Sequence, residues 1–204
     1  MALPKASDQR FTYADYLKWP DGERWELIDG EAYAMSPAPS ISHQTLALDI
    51  ARQIADVLEG SPSRALIAPV DVLLPTPDEA DDRATTVVQP DILVVCDPEK
   101  ITERNVRGAP DWIIEVLSPA TARHDHLTKR ALYERAGVRE YWLAHPVDRV
   151  ITVYVLQDGK YRSPEIADMA GERTPTIFPE IVIRWQPILD KLSQDAPHPD
   201  ERPA

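Results

Sequence analysis

At 204 residues the chain suits one domain with a sizeable core, because two full domains would leave neither with enough buried surface. A formal net charge of −12 argues against a protein that coats nucleic acid through a uniformly basic surface. A single cysteine, Cys96, excludes an internal disulfide and a cysteine-built zinc cluster. Met1 to Arg10 contains no signal-peptide apolar stretch, and no window approaches the ~20 apolar residues of a membrane span, so a soluble, cytoplasmic protein is expected.

The first element in chain order is a short helix at Tyr13 to Trp19. Arg24 to Met35 follows as two strands around Asp29-Gly30, a pair that tolerates positive φ and marks a hairpin. Ser36 to Ser40 is a loop, and Ser42 is the candidate cap of a helix from about His43 to Glu59. Leu46, Ile50, Ile54, Val57 and Leu58 fall on one face of it, and Gly60 ends it. Ala65 to Leu74 and Val87 to Val95 are aliphatic and short enough to be strands, with a charged loop, Asp78 to Arg83, between them. Cys96 follows two valines and reads as a buried thiol. Trp112 to Leu117 is apolar on both alternating faces, as in a central strand covered on two sides. A helix over Asp125 to Ala136 stops at Gly137. Strands are expected at Glu140 to Ala144, at Val150 to Leu156 before an Asp158-Gly159 turn, and at Ile177 to Trp185, broken by Pro179. The proline-rich end is expected to be disordered. The organisation is one domain over 1–192 with a tail at 193–204. The order of elements predicts an α/β or α+β fold with a mixed central sheet flanked by helices and an N-terminal hairpin.

Two acids stand where strands should be apolar: Asp91 within Val87 to Val95, and Glu115 within Trp112 to Leu117. A carboxylate buried without a partner costs several kcal/mol, so something must compensate it. A divalent cation shared by the two would do so, and Mg²⁺ favours a few carboxylate oxygens together with water and phosphate. The bland alternative is an arginine partner for each, or an exposed strand end at Pro90 for Asp91. Lys129 shares a helix face with Asp125, Leu132, Tyr133 and Ala136, so it either points inward to a carboxylate or lays its stem on the surface and reaches water. An Asp125 to Lys129 pair at i, i+4 would be worth only tenths of a kcal/mol. His124 and His126 offer zinc-type ligands, but no third ligand follows at close spacing. His43 fits a capping or packing role, with a place near the site open to it. Arg123, Arg130, Arg135 and Arg139 lie in residues 100–149, which carry nine Lys/Arg against seven Asp/Glu and hence +2, leaving −14 elsewhere. Any contact with nucleic acid is expected to cluster in that stretch, where these arginines could approach phosphates; the alternative is a solvated helix surface.

These residues carry a family resemblance. Pro110-Asp111-Trp112-Ile113-Ile114-Glu115-Val116-Leu117-Ser118-Pro119, followed by Asp125, Lys129, Tyr133, Gly137-Val138, Glu140-Tyr141-Trp142 and Pro146, resembles the signature of the Uma-two family, described as restriction endonucleases. Glu26 to Glu31, Ser36-Pro37-Ala38-Pro39, His43-Gln44 and Gln89-Pro90-Asp91 are similar to that family in the same order, so the likeness spans about Thr12 to Tyr154. It implies the PD-(D/E)XK nuclease fold, with Pro90-Asp91 as the first half-motif and Glu115 as the acid of the second. The lysine of that motif is absent, because residue 117 is Leu, and Lys129 is the candidate to take its place. Glu26 resembles the early acid of many such nucleases, its alternative being an exposed strand residue. His145 departs from the family's Asp-Pro and is expected to be peripheral.

The resemblance therefore implies a Mg²⁺- or Mn²⁺-dependent phosphodiester hydrolase with Asp91, Glu115, Lys129 and Glu26 as catalytic residues, of which Asp91 and Glu115 hold the metal. Its partner would be nucleic acid, DNA first, and a homodimer is the simplest way for one site per chain to cut a duplex. The competing reading is a binding or accessory protein, linked to mobile elements, that keeps the fold and cleaves nothing. The Leu at 117 and the acidic net charge favour it; the two acids inside apolar strands oppose it.

Overall fold

A computed structural model describes residues 9–194 except 21, 36–38, 77–78 and 120. A four-residue helix, α1 (Tyr13–Tyr16), precedes the expected hairpin, β1 (Trp25–Ile28) and β2 (Glu31–Ala34). Asp29 and Gly30 close it at φ 50° and 81°, and a Cβ on Gly30 would meet the Arg10 side chain at 3.0 Å, so glycine serves both the turn and the contact. Helix α2 (Ile41–Val57) starts before His43: Ser40, not Ser42, is its cap, with Ser40 Oγ accepting from the His43 amide at 3.2 Å. Leu46, Ile50 and Ile54 are fully buried along one face.

The two long aliphatic runs each divide. Ala65 to Leu74 becomes β3 (Arg64–Ile67) and β4 (Asp71–Leu73), and Val87 to Val95 becomes β5 (Val87–Val88) and β6 (Ile92–Val95). The breaks fall at the cis Ala68-Pro69 bond and at Gln89-Pro90-Asp91, where proline supplies no amide for a ladder. At each break the chain leaves one sheet for another. Strands β4 and β5 join β1, β2 and β7 (Asn105–Arg107) in a five-stranded sheet ordered β2-β1-β5-β4-β7. Strands β3 and β6 join β8 (Trp112–Val116), β9 (Glu140–His145), β10 (Val150–Gln157), β11 (Lys160–Tyr161) and β12 (Glu165–Asp168) in a seven-stranded sheet. Pairing is mixed: β8 runs parallel to β9 and β4 to β7, and the remaining neighbours are antiparallel. The expected charged loop contains a 3₁₀ turn at Asp81–Arg83; Asp78 lies outside the described residues.

Strand β8 lies between β6 and β9 and every residue in it is buried. Its even side chains, Trp112, Ile114 and Val116, pack with Ile92, Val94, Trp142 and the inner face of α2. Ile113 faces the opposite layer with Leu93, Val95, Tyr141 and Leu143, beneath Leu132 and Tyr133 of helix α3 (Arg130–Ala136). Gly137, at φ 88°, ends α3 as expected.

The C-terminal third differs from the pattern read in the sequence. Only Ile183–Arg184 of the expected Ile177 to Trp185 strand is extended; as β14 it pairs with β13 (Glu172–Arg173) in a two-stranded ribbon. Phe178, Ile181 and Trp185 are buried through turns, so their apolar character reflects burial and not strand period. Helix α4 (Gln186–Gln194) runs past the expected domain edge at 192 and is latched to α2 by Lys191 and Asp49, 2.7 Å apart. The remainder of the expected tail, 195–204, lies outside the described residues. Cys96 is half-buried against the α2-side core. The architecture is the mixed α/β sheet with flanking helices that the element order predicts.

Candidate active site

The site forms where the two sheets part. Asp91 sits at the crossing between β5 and β6, held in register by its carbonyl, which accepts from the Ala68 amide at 3.0 Å beside the other crossing. Its Oδ2 accepts from the Val116 amide at 2.8 Å, and its own amide donates to Glu115 Oε2 at 3.3 Å. The two acids are thus tied to each other through backbone. Glu26 enters from β1 of the five-stranded sheet. It is buried, not exposed, and its Oε1 accepts from the Gln89 amide at 2.9 Å.

Lys129 comes from the segment leading into α3, where His124–Lys129 forms a π-helical stretch. Such a wider turn changes which side chains stack on one face and recurs at functional sites. Here it aims Asp125, Lys129 and, one turn later, Tyr133 at Glu115. Lys129 Nζ lies 2.9 Å from Glu115 Oε1, 2.9 Å from Glu26 Oε1 and 3.7 Å from Asp125 Oδ1. Tyr133 donates to Glu115 Oε1 at 3.0 Å, and Tyr141 donates to the Asp125 carbonyl at 3.2 Å. The lysine points inward and joins an acid from each sheet. Leu117 is buried in the α3-side core, and the ammonium is delivered to Glu115 from the helix.

Three carboxylates, Glu26, Glu115 and Asp125, contact the one lysine, and with these and the neighbouring Asp91 all ionised the cluster carries −3. Their environments separate them. Burial would raise Glu26, but the Lys129 charge, His124 and the Gln89 amide hold it at about 2. Glu115 shares the same ammonium at the same distance yet is pushed well above the usual carboxylate range, first by burial, which Lys129 opposes, and then by the charges of Asp91, Asp125 and Glu26. Asp125 is raised too, mainly by burial. Burial alone would lower Lys129, and the facing carboxylates more than reverse it, so it stays an ammonium. Burial and the nearby carboxylates push Tyr133 well up, which keeps it a phenol that donates.

Side-chain exposure is 4% for both Glu26 and Glu115, 5% for Lys129 and 21% for Asp91, so solvent reaches the row at its Asp91 end. There His43 Nε2 lies 3.2 Å from Asp91 Oδ2. The sequence favours a capping or packing role for His43 and leaves a place near the site open; it does not give this contact, because nothing in it relates the start of α2 to Asp91. At the other end His124 Nε2 lies 3.7 Å from Glu26 Oε2, and its ring packs on Tyr33. His126 turns away to stack on His145, so the His-x-His pair does not converge. Among the described residues no three His, Cys, Asp or Glu side chains are gathered to hold an ion by themselves. Arg130, Arg135 and Arg139 pair with Glu134, Asp29 and Asp111, and Arg123 is exposed.

Residues 13–186 match the model of the Uma2 family, described as "Putative restriction endonuclease". The chain belongs to this family. An uncharacterized protein of Synechocystis sp. is 25% identical over 158 residues, covering 76% of this chain and 79% of that one. A crystal structure described as a putative nuclease belonging to DUF820, from Anabaena variabilis, shares the fold with a TM-score of 0.69. It is 22% identical and covers 89% of this chain and 99% of its own. The fold of this Uma2 chain is thus that of a nuclease-like protein. No helix among the described residues is long and apolar enough to cross a membrane.

Proposed function

We propose that this Uma2 protein is a metal-dependent phosphodiester hydrolase that cuts nucleic acid, DNA first, with Asp91, Glu115, Lys129 and Glu26 as its working residues. The observation that carries the proposal is the buried Lys129 ammonium 2.9 Å from Glu115, beside an Asp91 locked to the same acid. Glu115 thereby has an ammonium partner although residue 117 is Leu, which supports the reading of Lys129 as the motif's lysine.

The donor set fits Mg²⁺ or Mn²⁺. Two linked carboxylates with a surplus of negative charge suit a hard cation that keeps water and takes phosphate oxygens for its remaining positions. No built cage is required. Asp91 and Glu115 would hold the ion, which when bound polarises the phosphate and acidifies water. Asp91 would offer Oδ1, since Oδ2 already accepts from Val116, and Glu115 would offer Oε2, which accepts only the 3.3 Å bond from the Asp91 amide, whereas Oε1 accepts from both Lys129 and Tyr133. Lys129 stabilises negative charge developing on the phosphate and orients the attacking water. Glu26, held ionised, fixes Lys129. Asp125 and Tyr133 keep Lys129 and Glu115 from rotating. A two-fold homodimer in the cytoplasm would bring one site to each strand of a duplex.

The test is Mg²⁺ or Mn²⁺ titration by calorimetry of wild type and the Asp91→Ala, Glu115→Ala double variant, followed by cleavage assays on plasmid, single-stranded DNA and RNA. Binding and cleavage by wild type, both absent from a folded variant, support the proposal. A wild type that binds no metal and cuts nothing returns the chain to the accessory reading.

A further inference from the structure

Two of the three buried side-chain polar atoms that lack a hydrogen-bond partner among the described residues belong to histidines at the ends of the carboxylate row: His43 Nδ1 and His124 Nε2. A buried group left unsatisfied costs about 1–3 kcal/mol, and such groups call for an explanation beyond packing. His43 stands where the row meets solvent. It lines a cavity of about 220 Å³ with Asp91, Gln44, Thr45, Ile67 and Ala68. A second cavity, lined by Asp71, Gln89 and Asn105 among others, touches none of Asp91, Glu115, Lys129 or Glu26. Ile41, in the same first turn of α2, is 69% exposed, whereas the His43 side chain is only 13% exposed and turns to Asp91. The Ser40 cap fixes this, because it takes the amide of His43 itself.

We propose that His43 is a positioning residue of this centre: from the wall of the entry cavity its Nε2 holds Asp91 Oδ2, leaving Oδ1 to receive the cation. The inference rests on the metal-dependent reading above. Asp91 is the acid least held by burial, at 21% exposure, and Oδ2 has two anchors, the Val116 amide and His43. Removing the second lets the carboxylate rotate at the point where the ion enters. Groups that orient a ligand in this way typically contribute 10- to 100-fold to metal affinity.

Mn²⁺ and Mg²⁺ titrations of His43→Ala, His43→Asn and His43→Gln test it, with metal-free urea midpoints showing that each variant folds. Glutamine places its amide nitrogen about where imidazole Nε2 lies, whereas asparagine places it near Nδ1. The expected result is a loss of about tenfold or more in Ala and Asn, and affinity close to wild type in Gln. Equal loss in all three overturns positioning and makes the ring itself a ligand. Wild-type affinity in all three also overturns it, while the Asp91 and Glu115 reading stands. A wild type that binds neither ion removes both, and the double variant at Asp91 and Glu115 identifies that case.

Discussion

Replacing Lys129 by Met removes the single ammonium that Glu26 and Glu115 both contact at 2.9 Å, while keeping the volume of the stem. The two acids remain buried and face each other's charge. Removing one partner of a buried ion pair costs about 3–5 kcal/mol, equivalent to a fall in Tm of about 6–20 °C for a chain of this size. The sign with pH is fixed. In the wild type Glu26, lowered from 4.5 to about 2, contributes stability that is present above its unfolded value and is lost as pH falls toward 2. Without the ammonium the folded pKa of Glu26 rises above the unfolded one, and that of Glu115, already above it, rises further. Each then favours the folded state at low pH and loses that contribution as pH rises through the folded value. The deficit of Lys129→Met should therefore be largest near pH 8 and shrink toward pH 5. Urea unfolding followed by tryptophan fluorescence, without metal, measures it at both pH values, and added Mg²⁺ should restore part of the loss. A deficit below about 1 kcal/mol, equal at the two pH values, would refute the claim that this lysine compensates the buried acids.

Glu115→Gln removes the carboxylate that burial pushes up. The wild-type acid stabilises the fold below its unfolded pKa and loses that as pH rises, so metal-free Glu115→Gln should match or exceed wild type at pH 8 while losing Mg²⁺ binding. A urea midpoint well below wild type at pH 8 counts against this. Trp112 and Trp142 are both fully buried, but Trp142 Nε1 donates to Glu140 at 2.7 Å whereas Trp112 Nε1 has no partner among the described residues. Trp112→Phe should thus cost about 1–3 kcal/mol less than Trp142→Phe, and equal midpoints would show that Trp112 has a partner in solution. Ser40→Ala should cost about 1 kcal/mol and Ser42→Ala less than about 0.5, measured by thermal unfolding; the reverse order would place the cap of α2 at Ser42.

The sequence was most legible where one local rule dominated. Asp29-Gly30 made a hairpin because both residues accept positive φ, and Trp112 to Val116 made a central strand because both its faces are apolar. Gly137 ended a helix for the reason glycine usually does. It was least legible where burial follows from packing across the fold. Phe178, Ile181 and Trp185 carry the apolar pattern of a strand but are buried through turns, and α4 closes the core on α2 through contacts far apart in sequence. The cap of α2 was misplaced by two residues because Ser40 and Ser42 are equally good caps locally, and the packing of Leu46 and Ile50 sets the helix start.

The candidate site divides in the same way. Asp91 and Glu115 stood out because each interrupts an aliphatic run, and Lys129 because it shared a face with buried residues. Their meeting depends on two features that carry no composition signal. One is the π-helical stretch at His124–Lys129, which brings the lysine to Glu115 from the next helix. The other is the pair of crossings at Pro69 and Pro90. An unbroken strand through Gln89-Pro90-Asp91 would continue one ladder and turn Asp91 with Leu93 and Val95 into the α3-side core, where no water reaches. Because the chain changes sheets at Pro90, Asp91 sits at the parting of the two sheets, close enough to Glu115 to be tied to its strand and open enough for solvent to reach it. The proline of the Pro-Asp pair thus acts on the acid through topology. By lacking an amide it ends the ladder, and the end of the ladder is what makes the carboxylate reachable.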